Sequence, residues 1–242
     1  MKNTVEKTAT GAILYDQAVL NQISDDTFTP EAWQSSKSVS GFLQSAGRGN
    51  TVIVSDDRQH FVLRHYRRGG VVANISQDAY LWLGEDRTRS FREFRLLYAL
   101  MQMGLPVPQP VAARYRRTGI RYSADIITVL VPGIRPLAAR IQEDVASGFW
   151  QKVGAGIARF HKAGVNHADL NAYNVQIDRN DDILMLDFDR GRLMRAGSWQ
   201  RRNLARLHRS LEKIKRLDER THFSEQDWNQ LLSAYFDATR LA

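Results

Sequence analysis

One stretch, residues 167–190 (HADLNAYNVQIDRNDDILMLDFDR), constrains this chain more than any other. It carries Asp169 and Asn174 on a short polar segment, then Asp187 directly after the apolar run 183–186. A carboxylate that takes a hydroxyl proton, beside a neutral oxygen ligand and a second carboxylate that can grip a metal-bound phosphate, is the equipment of phosphoryl transfer. Asp and Asn in loops more often only make turns. The order of these three, downstream of a predicted hairpin and a Glu-bearing helix, asks for more than turn chemistry.

Composition narrows the class. The 242 residues are 43% hydrophobic and 25% charged, enough apolar material for one large domain or two small lobes sharing a cleft. A formal net charge of +8, from 34 Lys and Arg against 26 Asp and Glu, favours anionic partners without choosing among nucleotide, nucleic acid, phosphorylated substrate and anionic membrane. The absence of cysteine excludes disulfides and thiolate metal sites. The first residues lack the apolar core of a secretory signal, and no run approaches the roughly 18 apolar residues of a spanning helix. A cytoplasmic protein, in contact with a membrane surface at most, is expected.

Upstream, the pattern predicts a short strand over 12–15 and a helix start at Thr29-Pro30. A hairpin follows, with strands over 51–54 and 61–66 and a turn at 56–58. Phe91, Phe94, Leu97, Tyr98 and Met101 recur at helical spacing, which predicts a helix over 87–103, capped by Thr88 or Ser90 and closed by Gly104 and Pro106. Two strands, 111–115 and 122–131, end at Pro132-Gly133. Beyond lie predicted helices over 149–163, with His161 in a structural role, over 198–216, and from Ser224 to Phe236, the last opened by a capping-box-like Ser-x-x-Asp.

The spacing H-x-D-x-x-x-x-N, read as His167, Asp169 and Asn174, followed by Asp187-Phe188, resembles the catalytic and metal-binding loops of the protein-kinase fold. That resemblance implies an α+β, bilobal protein-kinase-like fold. Residues 1–131 would form an antiparallel, β-rich nucleotide-binding lobe with one long helix, and residues 132–242 a mainly helical catalytic and acceptor-binding lobe. Gly47 and Gly49 would let backbone N–H groups approach a phosphate, although Val52 stands where a third glycine is expected and a plain turn is the competing explanation. No Lys occurs between Lys37 and Lys152, so Arg64 is the candidate phosphate anchor on the second hairpin strand, with a solvated residue in a basic patch as the alternative. Glu93 is the only acid in the long helix and the candidate partner of Arg64, against an intrahelical pair with Arg89. His167 is expected to orient the loop.

The strings HADLNAYN and LDFDRGR, with LRHYRRGG upstream, resemble the lipopolysaccharide-core sugar kinases of Gram-negative bacteria over residues 47–192. This resemblance implies ATP-dependent phosphorylation of a hydroxyl on a 3-deoxy-D-manno-octulosonic acid (Kdo) sugar carried by a lipid A precursor. It implies Asp169 as general base, Asn174 and Asp187 as Mg²⁺ ligands, and a peripheral location at the cytoplasmic face of the bacterial inner membrane, with no nucleic-acid partner. Asn171 replaces the Lys usual in protein-kinase catalytic loops, Asp189 replaces the Gly of D-F-G, and no A-P-E string follows, as suits a small sugar acceptor. The basic helix over 198–216 suits contact with anionic lipid or the sugar's carboxylate, while core packing with a solvated basic side explains its apolar stripe. Another small-molecule phosphotransferase of the aminoglycoside-kinase kind, an atypical protein kinase, and a catalytically silent anionic-lipid-binding module are the rival classes.

Overall fold

The computed structural model describes residues 3–38, 51–67 and 79–240. The chain divides into two compact units, Met1–Ala99 with Pro108–Val131, and Leu100–Val107 with Pro132–Ala242.

The first unit is built on an antiparallel sheet of eight strands. Strands β1 (Asn3–Lys7) and β2 (Gly11–Asp16) form a hairpin where a single short strand was expected. Strand β3 (Ser35–Ser38) pairs with β4 (Thr51–Ser55), which pairs with β5 (His60–His65), the predicted hairpin. Strand β6 (Tyr80–Leu81) and the long pair β7 (Pro110–Thr118) and β8 (Arg121–Val129) complete the sheet, in the order β1-β2-β7-β8-β5-β4-β3 with β6 beside β8. Strand alternation sends Phe61 and Leu63 of β5 into a core with Ile13, Tyr15, Val54, Val111 and Ile127. The residue between them in the pleat and its neighbour, Val62 and Arg64, point to the other face.

Helix α1 (Arg89–Gln102) buries Phe91, Phe94 and Leu97, as its spacing predicts. The Phe91 ring meets Tyr115 of β7 edge-on at 5.3 Å, and Ser90 Oγ donates to the Arg114 carbonyl at 2.9 Å. Ser90 is therefore spent on the sheet, and the Thr88 hydroxyl donates back to the Glu85 carbonyl at 2.7 Å. The helix ends in a Schellman motif: Gly104 (φ 69°) donates to the Met101 carbonyl at 2.9 Å and Leu105 to that of Leu100 at 3.0 Å. Thr29-Pro30 opens only the short 3₁₀ turn Pro30–Ala32, because the Thr29 hydroxyl bonds to the Asp26 carbonyl at 2.6 Å and caps nothing.

The second unit is mainly helical. Strand β9 (Arg135–Pro136) and the one-turn α2 (Leu137–Arg140) lead to α3 (Phe149–Lys162). Short strands β10 (Val165–Asn166), β11 (Val175–Ile177), β12 (Ile183–Met185) and β13 (Arg192–Leu193) follow, then α4 (Ser198–Leu217) and α5 (Glu225–Arg240). Helices α3 and α5 approach so closely at Gly154 that an added Cβ would lie 2.1 Å from the Leu231 carbonyl oxygen. Only glycine allows that contact. Ser224 caps α5 reciprocally with Asp227, donating N–H to its carboxylate at 2.8 Å and accepting its N–H at 3.2 Å. Helix α4 buries Leu204, Leu207, Leu211 and Ile214 on one face.

Candidate active site

The polar loop between β10 and β11 is shaped by its own amides. Asn171 Oδ1 accepts the N–H groups of Tyr173 (2.8 Å) and Asn174 (3.1 Å), while its Nδ2 donates to the Asp169 carbonyl at 3.0 Å. Asn174 Nδ2 donates to the same carbonyl at 2.9 Å. Two side-chain amides thus clasp the Asp169 backbone, and Asn171, noted in the sequence only as a missing Lys, is what folds the turn. The clasp is anchored to α4, whose Ser210 Oγ accepts from Ala172 N at 3.2 Å and whose Asn203 Oδ1 accepts from His167 N at 3.2 Å.

Asn174 is fully buried, and its Oδ1 has no hydrogen-bond partner. An orphaned buried carbonyl oxygen is costly and calls for a donor or a cation. The β11–β12 hairpin puts a carboxylate at the same end: Val175 pairs with Met185, and Leu186 N donates to the Asn174 carbonyl at 2.9 Å, so Asp187 follows directly. Asp187 has φ 63°, a left-handed conformation sparsely adopted by residues other than glycine. The donor set, one amide oxygen and one carboxylate, fits a hard cation that takes its remaining ligands from phosphate and water. Among the described residues, no group of three or more His, Cys, Asp or Glu could hold a metal unaided.

His167 is buried, and its Nε2 lies 2.8 Å from the Leu186 carbonyl, which can only accept, so Nε2 carries the proton. Its ring leans on Phe188 at 4.8 Å, and Phe188 stacks on Phe160 of α3 at 6.4 Å. His167 therefore ties the polar loop to the segment bearing Asp187 and acts as a scaffold. His161, also on α3, is buried between Trp199 and Tyr235, and burial pushes its pKa down to about 4. Its environment is structural.

The Asp169 carboxylate turns outward. It is half exposed, and its Oδ1 lies 3.0 Å from Nη1 of Arg206 on α4. Sequence separation hid this pair: Arg206 is one of many cations on a basic helix, and no local pattern singles it out.

In the first unit, Arg64 on β5 contacts both carboxylate oxygens of Glu93 on α1 at 2.5 Å. Tyr66, which the sequence did not single out, donates its hydroxyl to Glu93 Oε2 at 2.5 Å. With side-chain exposures of 18% for Arg64 and 3% for Glu93, a half-buried guanidinium meets a buried carboxylate, not a solvated patch. Arg89, the alternative partner of Glu93, carries its guanidinium over the Tyr80 ring at 4.6 Å. Gly47 and Gly49 lie outside the described residues.

The family model described as "Lipopolysaccharide kinase (Kdo/WaaP) family" matches residues 31–235. The chain belongs to this lipopolysaccharide kinase family. It is 45% identical over 226 residues to a 3-deoxy-D-manno-octulosonic acid kinase of Stenotrophomonas maltophilia, covering 93% of this chain and 89% of the relative. A protein of that name from Vibrio parahaemolyticus is 40% identical over 223 residues, covering 92% of each chain. One from Xanthomonas campestris is 43% identical over 226 residues, covering 93% and 89%. As a member of the lipopolysaccharide kinase family, the chain is a phosphotransferase with a hydroxyl acceptor, and the α+β architecture agrees with a kinase-like fold. The matched span contains the Asn171 clasp, Asp187 and the Arg64–Glu93 pair.

Proposed function

We propose that this protein transfers the γ-phosphoryl group of ATP to a hydroxyl of Kdo on a lipid A precursor. The observation that carries this reading is the loop itself: an outward carboxylate at Asp169 and, on its inner side, a buried amide oxygen at Asn174 awaiting a ligand. Relatives named as Kdo kinases across nine-tenths of the chain support the acceptor.

In this mechanism Asp169 hydrogen-bonds the acceptor hydroxyl and takes its proton as the oxygen attacks. The new O–P bond forms as the bond from the γ-phosphorus to its bridging oxygen breaks, and ADP departs. Asn174 Oδ1 and the Asp187 carboxylate would hold Mg²⁺, which when bound neutralises developing phosphate charge. Asn171 fixes where Asp169 points, and the Arg64–Glu93–Tyr66 cluster sets the position of the guanidinium assigned to the donor phosphates.

The protein works, in this proposal, at the cytoplasmic face of the inner membrane. No helix among the described residues is long and apolar enough to cross a membrane. Support for surface contact comes from α4, where exposed Arg202, Arg206, Arg209, Lys213 and Arg216 fall within about 80° of arc. Incubation of Kdo-lipid A precursor with the protein, Mg²⁺ and ATP should add one phosphate by mass spectrometry. Transfer to an aminoglycoside or a generic protein with none to the Kdo acceptor would overturn the assignment.

A further inference from the structure

We infer that Arg206 is the acceptor-specificity residue: its guanidinium holds the carboxylate of the acidic sugar and thereby delivers the neighbouring hydroxyl to Asp169. The inference rests on the Kdo reading above, since that sugar is an acid. Whatever hydroxyl Asp169 activates must sit at hydrogen-bonding distance from its carboxylate. A cation 3.0 Å from that carboxylate therefore stands within the span of one sugar from the reacting oxygen. Arg206 lies on the side-chain face of Asp169. The backbone face is taken by Asn171 and Asn174, the metal side of the loop.

The pair is not needed for folding. Asp169 and Arg206 are 53% and 48% exposed, and such pairs contribute about 0–1 kcal/mol to stability. Helix α4 is held by Leu204, Leu207, Leu211 and Ile214, none of which depends on Arg206. The guanidinium spends Nη1 on Asp169, and its fork has further N–H donors that suit a planar carboxylate. Without acceptor, Asp169 is the anion that Arg206 holds. With acceptor, the sugar's carboxylate shares that cation, and the hydroxyl meets Asp169.

The test compares wild type, Arg206→Gln and Arg206→Lys on Kdo-lipid A precursor and on its carboxyl methyl ester, at saturating Mg-ATP. For Arg206→Gln, KM for the acid should rise about ten- to hundredfold, the loss expected of a charge-assisted hydrogen bond. KM for ATP and kcat should change little, and Arg206→Lys should fall between. Wild type should handle the ester as poorly as Arg206→Gln handles the acid, and the variant should barely distinguish the two acceptors. An equal drop in kcat on both acceptors would overturn the inference in favour of a phosphoryl-side role, and so would wild-type indifference to esterification. Failure of wild type to phosphorylate the acid at all would instead remove the Kdo reading on which the inference stands.

Discussion

Arg64 and Glu93 meet through both carboxylate oxygens at 2.5 Å, with the Tyr66 hydroxyl on Oε2, in a setting where Glu93 is 3% exposed. Removing one member strands the other's charge. Glu93→Ala is expected to cost about 3 kcal/mol, read by urea denaturation, whereas the double variant Arg64→Met/Glu93→Leu should regain most of that loss. The double variant should nevertheless show a raised KM for ATP if Arg64 holds the donor phosphates as proposed, because that guanidinium is gone.

Asn171 makes three hydrogen bonds inside the loop. Asn171→Ala should loosen Asp169 without touching substrate. Expected is a fall in kcat of about ten- to a hundredfold, the cost of misplacing a reacting group, with KM for ATP nearly unchanged.

The buried, unpartnered Oδ1 of Asn174 predicts a metal dependence. In Asn174→Ala the Mg²⁺ concentration for half-maximal activity should rise about tenfold or more. Asn174→Asp keeps an oxygen at the site and should fall short of that loss. An unchanged Mg²⁺ titration in the Ala variant would assign the orphan oxygen to something other than the metal.

His161 should make the fold acid-sensitive. Burial pushes its folded pKa down to about 4, below the unfolded value near 6.5. Between those values the unfolded chain binds a proton that the folded chain refuses, so stability falls as pH drops from about 6.5 to 4. The total is on the order of 3 kcal/mol. Denaturation midpoints at pH 7.5, 6 and 4.5 should show this slope in wild type, and His161→Gln should lack it.

The elements with a strong period were legible in the sequence. The apolar stripe of α1, the hairpin of β4 and β5, and the Ser224 cap of α5 all stand where spacing put them. What escaped depends on distant partners. The β1–β2 hairpin is mostly exposed on β1, so its residues carry no alternating pattern. Strand β9 is two residues long and exists because β11 runs beside it. Within the site, the order Asp169, Asn174, Asp187 pointed to phosphoryl transfer, and the pairing of Glu93 with Arg64 was readable in advance. Arg206 lies 37 residues from Asp169 on a helix crowded with cations, so only the folded chain singles it out.

In the proposed mechanism Asp169 takes the acceptor's proton from a loop whose geometry does not depend on its carboxylate. The most direct measurement is the turnover of Asp169→Ala on Kdo-lipid A precursor with Mg-ATP, alongside its circular dichroism and thermal midpoint. An intact fold is expected, since the clasp uses only the residue 169 backbone carbonyl, together with a loss of turnover of about a thousandfold or more. Turnover at the wild-type level in a folded Asp169→Ala protein would contradict it.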